Sequence, residues 1–250
     1  MAHELDFDQD ANARIFSVQA TPWHGLGRIL DNPPTIEEGI VQAGLDWTVR
    51  VEPTYLQDGR AVAGANAVIR ETDGAILGAV GDRWHPVQNR EAFQWFAPWL
   101  ENNLVTLETA GALRGGSVVW CLAKVAIPDA VICKQSDDKV SAYILFANNH
   151  NSKKSLSVGF TPIRVVCQNT LSMAQSNGAS KLVKIRHTVN AKQALNEIRT
   201  TMDLLTADFK ITADKYRELL KYQVNENRPT GRVPAQTGRR QPPVPPGRRQ

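Results

Sequence analysis

Cysteine is scarce in this 250-residue chain, which has only Cys121, Cys133 and Cys167, none in a CxxC spacing. An odd, scattered set excludes a disulfide framework and makes a reducing, cytoplasmic setting the expectation. Histidine is equally sparse. His3, His24, His85, His150 and His187 form no HxxxH or HxH pair, so no local metal motif exists and no cofactor is expected. Phosphate-cradling loops are missing too: there is no GxxxxGK[ST], and Gly25-Leu26-Gly27 lacks the third glycine and the preceding strand of a dinucleotide loop. That argues against chemistry driven by ATP or NAD. No run approaches the roughly 18 apolar residues of a membrane span, and the acidic opening MAHELDFDQD is unlike a secretory signal.

Acidic residues are absent from one long window. Residues 139–196 carry eight Lys/Arg and no Asp or Glu, whereas residues 1–138 carry 10 against 19, a balance of −9. The net charge of +4 hides this contrast and owes its sign to the end of the chain, where residues 228–250 hold six Arg and no acid. Without that tail the balance is −2, so the basic average says nothing about the folded part.

The pattern predicts an α+β protein in which antiparallel β meanders carry helices packed on one face. Residues 1–20 are polar and weakly patterned and read as a loose arm; 21–225 read as one domain. Residues 226–250, rich in Arg, Pro and Gly with almost nothing to bury, read as disordered. Thr35-Ile36-Glu37-Glu38 fits a capping box opening a short helix that Gly44 ends. Period-two alternation from Trp47 to Val87, punctuated by Asp58-Gly59 and Asp73-Gly74, predicts a meander with strands at Ala75–Val80 and Arg83–Val87. A helix over 89–102 should kink or change character near Gln94–Pro98. Strands follow at 105–108, 117–125, 130–134, 139–147 and, after Asn148-Asn149-His150-Asn151, 155–160. Thr161-Pro162 predicts the start of a helix over 161–175. Lys181–Thr188 reads as a strand, and helices over 190–222 complete the domain.

The acid-free window is the most informative feature for function. Lys153, Lys154, Arg164, Lys181, Lys184 and Arg186 fall on neighbouring elements, where they would form a stripe attractive to phosphates, assisted by backbone donors at a helix start over Thr161–Arg164. The competing reading pairs these cations with the acidic front half, across the fold or across a subunit interface. Trp23 and Trp84, each followed by His and each near Pro, are candidate base-stacking platforms; a Trp beside Gly and Pro also plugs sheet edges. Cys167 with a histidine would supply a nucleophile and base, but a cysteine on an apolar helix face more commonly serves as a small buried hydrophobe. No catalytic residue is assigned.

Three segments in this order, TPWHGLG, GDRWHPVQNREAF and TPIRVVCQNTLSMA, resemble the phage/plasmid-like protein family, a domain of unknown function of bacteria, phages and plasmids. The resemblance runs over about residues 1–225 and implies a mobile-element context without implying an activity. Members continue into a longer helical region, whereas here the Arg/Pro/Gly tail begins at Arg228, as truncation or a frameshift would leave it. The strand-and-helix order with a basic second half is also similar to ring-forming single-strand annealing proteins of phage recombination. That similarity implies a homo-oligomer that binds single-stranded DNA along a basic groove without nucleotide hydrolysis. The expectations are therefore a non-enzymatic single-stranded DNA-binding accessory of recombination or replication, a self-associating structural protein without nucleic-acid affinity, or a Cys/His hydrolase.

Overall fold

The computed structural model describes residues 4–126, 130–131, 139–176 and 180–202. Along the chain run β1 (Ile15–Val18), β2 (Arg28–Leu30), α1 (Ile36–Gln42), β3 (Val49–Tyr55), β4 (Ala61–Arg70), β5 (Ile76–Val80), α2 (Asn89–Gln94), α3 (Ala97–Glu101), β6 (Val105–Leu113) and β7 (Val118–Val125). After them come β8 (Ala130–Val131), β9 (Lys139–Val140), β10 (Tyr143–Asn149), β11 (Leu156–Thr161), α4 (Gln168–Ser176), β12 (Lys181–Ile185) and a helix, α5, over 191–202. The class is α+β.

Seven strands form one sheet in the order β12-β11-β10-β7-β6-β1-β2, antiparallel except where β1 meets β2. Its centre is buried on both faces, which explains why β7 and β10 read as continuous apolar runs rather than as alternation. Within β7, Val119, Cys121 and Ala123 face one core with Phe93, Phe96 and Trp99, while Val118, Trp120 and Leu122 face a second core with Leu171 and Ala174. The helices therefore do not pack on one face, as the sequence pattern predicts, because both faces of the central strands are apolar: α1, α2, α3 and α5 cover the first face, and α4 covers the other. Trp95, Phe96, Trp99 and Phe146 meet largely edge to face, and the Trp95 indole donates to Leu195 O at 3.0 Å, which docks α5 on α2.

A second sheet, β3-β4-β5, adds Val49, Val68, Leu77 and Val80 to the first core. Gly78 in β5 permits its contact with the end of β10, because a Cβ there would lie 2.4 Å from the Asn151 Cβ. Gly159 holds β11 against β12 at φ +148, where a Cβ would lie 2.0 Å from Lys181 O.

Local signals behaved as physics requires. Thr35 and Glu38 form the capping box of α1, Gly44 follows at φ +62, and the expected helix divides after Gln94, with Pro98 in the first turn of α3. Three further expectations are corrected. Within the expected loose arm, the described residues 4–20 are held in the fold: β1 is fully buried between β6 and β2, and the Asp6 carboxylate accepts from Arg70 at 2.9 Å within a buried ion pair. Arg83–Val87 is a loop rather than a strand, with its backbone committed to Gly81 and His187. The helix expected from Thr161 starts only at Gln168. Thr161 ends β11, and over the intervening residues side chains take the backbone bonds: Thr170 Oγ1 accepts from Val166 and Cys167 N–H, and Val165 O accepts from Thr109. The part of the expected 190–222 helices beyond residue 202 and the tail at 226–250 lie outside the described residues.

Candidate nucleic-acid interface

The six basic candidates separate into two groups. Arg164 is internal to the fold: its guanidinium pairs with Glu108 at 2.5 Å and donates to Ser17 Oγ at 2.8 Å and to Val18 O at 3.0 Å, tying the segment before α4 to β6 and β1. With no helix start at Thr161–Arg164, the backbone donors expected there do not exist either. Lys192, another base of the acid-free window, pairs with Glu91 at 2.5 Å. For these two residues the reading that pairs basic middle with acidic front holds within the chain.

Lys153, Lys154, Lys181, Lys184 and Arg186 are different. None of them has a carboxylate partner among the described residues. Lys181 and Lys184 lie exposed on β12, the edge strand of the large sheet, opposite Phe160 and Ser157. Lysines on an edge also discourage further strand pairing, which is a structural reason for their presence. Lys153 and Lys154 occupy the turn between β10 and β11, and Lys154 Nζ donates to Gln175 at 3.0 Å.

The structure brings Lys154, Arg186 and Trp84 together around a cleft of about 800 Å³, and adds Arg83, which the sequence reading missed. Gly81, Asp82, Asn151, Ser152, Ser155, His187 and Thr188 complete its wall. Three cations thus face one carboxylate, and Asp82 already accepts from Asn66 Nδ2 at 2.9 Å. A smaller cleft of about 440 Å³ between α1 and α3 has the opposite character, with Glu37 and Glu101 among its lining and no cation.

The larger cleft has a rigid floor. The Trp84 indole stacks on His187 at 5.0 Å between centroids and 26° between planes. Two hydrogen bonds staple the Trp84 loop to the chain after β12: His85 N–H donates to His187 O at 3.1 Å, and His187 Nδ1 donates to His85 O at 3.3 Å. A carbonyl can only accept, so the His187 proton is on Nδ1 and Nε2 keeps a lone pair. Beneath lies His150, fully buried, whose Nε2 donates to Asn89 Oδ1 at 2.9 Å while Asn89 Nδ2 donates to Leu45 O and Trp47 O. His150 Nδ1, His187 Nε2 and Trp84 Nε1 are buried without a hydrogen-bond partner among the described residues. Burial, with the nearby His187 and Arg70 adding to it, pushes the His150 imidazole down to about 3; burial also lowers His187. Both rings are neutral at pH 7.

The Asn148–Asn151 tract, to which the sequence reading gave no role, is what builds this corner. All four side chains are buried. Asn148 donates to Val87 O at 2.7 Å, Asn149 to Ser155 O at 3.1 Å, and Asn151 accepts from Lys153 N–H at 2.9 Å, so the tract fixes both the Trp84 loop and the lysine turn. Four successive polar residues directly after the run from Tyr143 to Ala147 were the available signal.

Trp23 is elsewhere, 65% exposed in the loop between β1 and β2, where its neighbour His24 contacts Val166 O at 3.1 Å. It is not part of the cleft. Cys167 is buried, with its Sγ 3.6 Å from Thr170 Oγ1, and no hydrogen bond joins it to a histidine among the described residues. Burial pushes the Cys121 thiol far above its ordinary range. Neither thiol is placed as a nucleophile. No group of three or more His, Cys, Asp and Glu suited to a metal occurs among the described residues, and no described helix is long and apolar enough to cross a membrane.

Comparison with known proteins matches the chain to a family. The family model described as Domain of unknown function (DUF932) covers residues 76–233, which includes the Trp84 loop, the Asn148–Asn151 tract and β12, and leaves out the segment around Trp23. No curated protein and no solved structure matches the chain.

Proposed function

The chain belongs to the DUF932 family, and from that premise we propose that it is a non-enzymatic protein that binds single-stranded DNA, serving recombination or replication of a phage or plasmid as an accessory in the cytoplasm. The observation that carries this reading is the convergence of Arg83, Lys154 and Arg186, from three separate segments, on one cleft floored by Trp84. Cations without carboxylate partners attract phosphates, and an indole at the same place offers a base a stacking surface. Lys184 and Lys181, exposed on β12 next in the chain, extend the path for a strand along the sheet edge. Arg164 and Trp23 drop out of the proposed interface.

Titration of labelled single strands and of the corresponding duplex against the full chain tests this reading. The single strand is expected to bind more tightly than the duplex, because duplex bases are stacked inside and present no face to Trp84. The Lys154→Ala/Arg186→Ala pair is expected to weaken binding of the single strand by about tenfold or more. Equal affinity for strand and duplex, or binding untouched by the double substitution, overturns it. Mass measurement at low and high salt addresses self-association: an oligomer that dissociates in salt, with no DNA affinity, would favour docking between copies instead.

A further inference from the structure

The cleft gathers three cations against one carboxylate, Asp82. A phosphodiester brings one negative charge per nucleotide, whereas a terminal phosphomonoester brings nearly two at pH 7 and three strong acceptor oxygens on one atom. Arg83, Lys154 and Arg186 line the same cleft of about 800 Å³, and neither Arg83 nor Arg186 has an ion-pair partner among the described residues. Lys154 makes one neutral contact, with Gln175. The hydroxyls of Ser152, Ser155 and Thr188 add donors on the same wall.

The floor is closed by a side chain that has not met its own hydrogen-bonding needs. His187 is 6% exposed, lines the cleft, and has Nε2 buried without a partner while Nδ1 is fixed on His85 O. The Nδ1 bond to His85 O fixes the ring as the surface on which the Trp84 indole stacks. The smaller cleft between α1 and α3, with its two carboxylates, has none of this chemistry.

We propose that this cleft is a receptor for a phosphomonoester, the phosphorylated end of a single strand, held by Arg83, Lys154 and Arg186 with Trp84 and His187 as its floor. The proposal rests on the strand-binding reading above and names the part of the strand that the cleft selects. Guanidinium groups suit this task because their planar forks can each engage two phosphate oxygens.

The test uses the full chain and three strands of one sequence, with a 5′-phosphate, a 3′-phosphate or hydroxyls at both ends, and with inorganic phosphate and a nucleoside 5′-monophosphate as competitors. One phosphorylated strand is expected to bind about tenfold more tightly than the hydroxyl-ended strand. Inorganic phosphate and the mononucleotide should compete away that increment and leave the remaining affinity. In Arg83→Ala/Arg186→Ala the ratio of the two affinities should fall to one, a readout that general weakening of the fold would not give. Equal affinity for all three strands overturns this inference and leaves strand binding standing. Binding of the mononucleotide and phosphate with no affinity for the hydroxyl-ended strand supports the receptor and overturns the strand-binding reading. Binding of no phosphate-bearing probe overturns the receptor.

Discussion

Arg164 and Arg186 come from the same acid-free stretch of sequence and do opposite things. Arg164 is enclosed, with Glu108, Ser17 and Val18 taking its donors at 2.5–3.0 Å. Arg186 lies just past the end of the edge strand, beside Lys154 and Arg83, with no carboxylate against it among the described residues. The difference teaches that a surplus of base in a sequence window is a mixture. One part stitches the basic middle to the acidic front, and the remainder is left available to a ligand. Only the second part bears on function.

The comparison is broken most directly by truncating each arginine. Arg164→Ala leaves Glu108, whose side chain is 13% exposed, without its partner and is expected to cost about 2–3 kcal/mol of unfolding free energy. Arg186→Ala should stay within about 0.5 kcal/mol of the parent, as exposed substitutions do. Urea unfolding of the two variants checks this, and equal losses would remove the distinction between stitching and ligand-binding arginines.

A pH series sharpens it by testing the floor of the cleft. In the folded chain His150 stays neutral down to about pH 3, against an ordinary value of 6.5. As pH falls through 6.5 the unfolded chain binds a proton that the folded chain does not, so stability present above that pH is lost below it. At pH 5 the loss from His150 is about 2 kcal/mol, and lowered His187 adds to it in the same direction. Carboxylates held low by their partners, such as Asp73 beside Arg70, lose their contribution only in more acidic solution. Unfolding measured at pH 7 and pH 5 should therefore differ, and a flat profile would mean that the two imidazoles are not buried as described.

What was legible in the sequence was local. The capping box at Thr35, the helix division near Pro98 and the Asp58-Gly59 and Asp73-Gly74 hairpin signals are each specified by a few adjacent residues, and each appears. What failed depended on distant partners. The amino-terminal segment is ordered by Arg70 reaching Asp6 and by β6 pairing with β1, neither of which its own polar sequence announces. Residues 162–167 contain an amphipathic helical pattern, yet Thr109 and Thr170 compete for their backbone groups. In the site, Lys154, Arg186 and Trp84 were identified one by one, but their convergence needed the Asn148–Asn151 tract, whose burial no periodicity reveals.

The central claim is that the cations of the cleft neutralise phosphates, and the salt dependence of single-strand binding measures this. The full chain and its Lys154→Ala/Arg186→Ala variant both retain the tail's six arginines, so the difference between them isolates the cleft. Plotted as log affinity against log salt, the variant's slope should be shallower by about 1.4, roughly 0.7 for each phosphate no longer neutralised. Parallel lines for the two proteins would contradict the account.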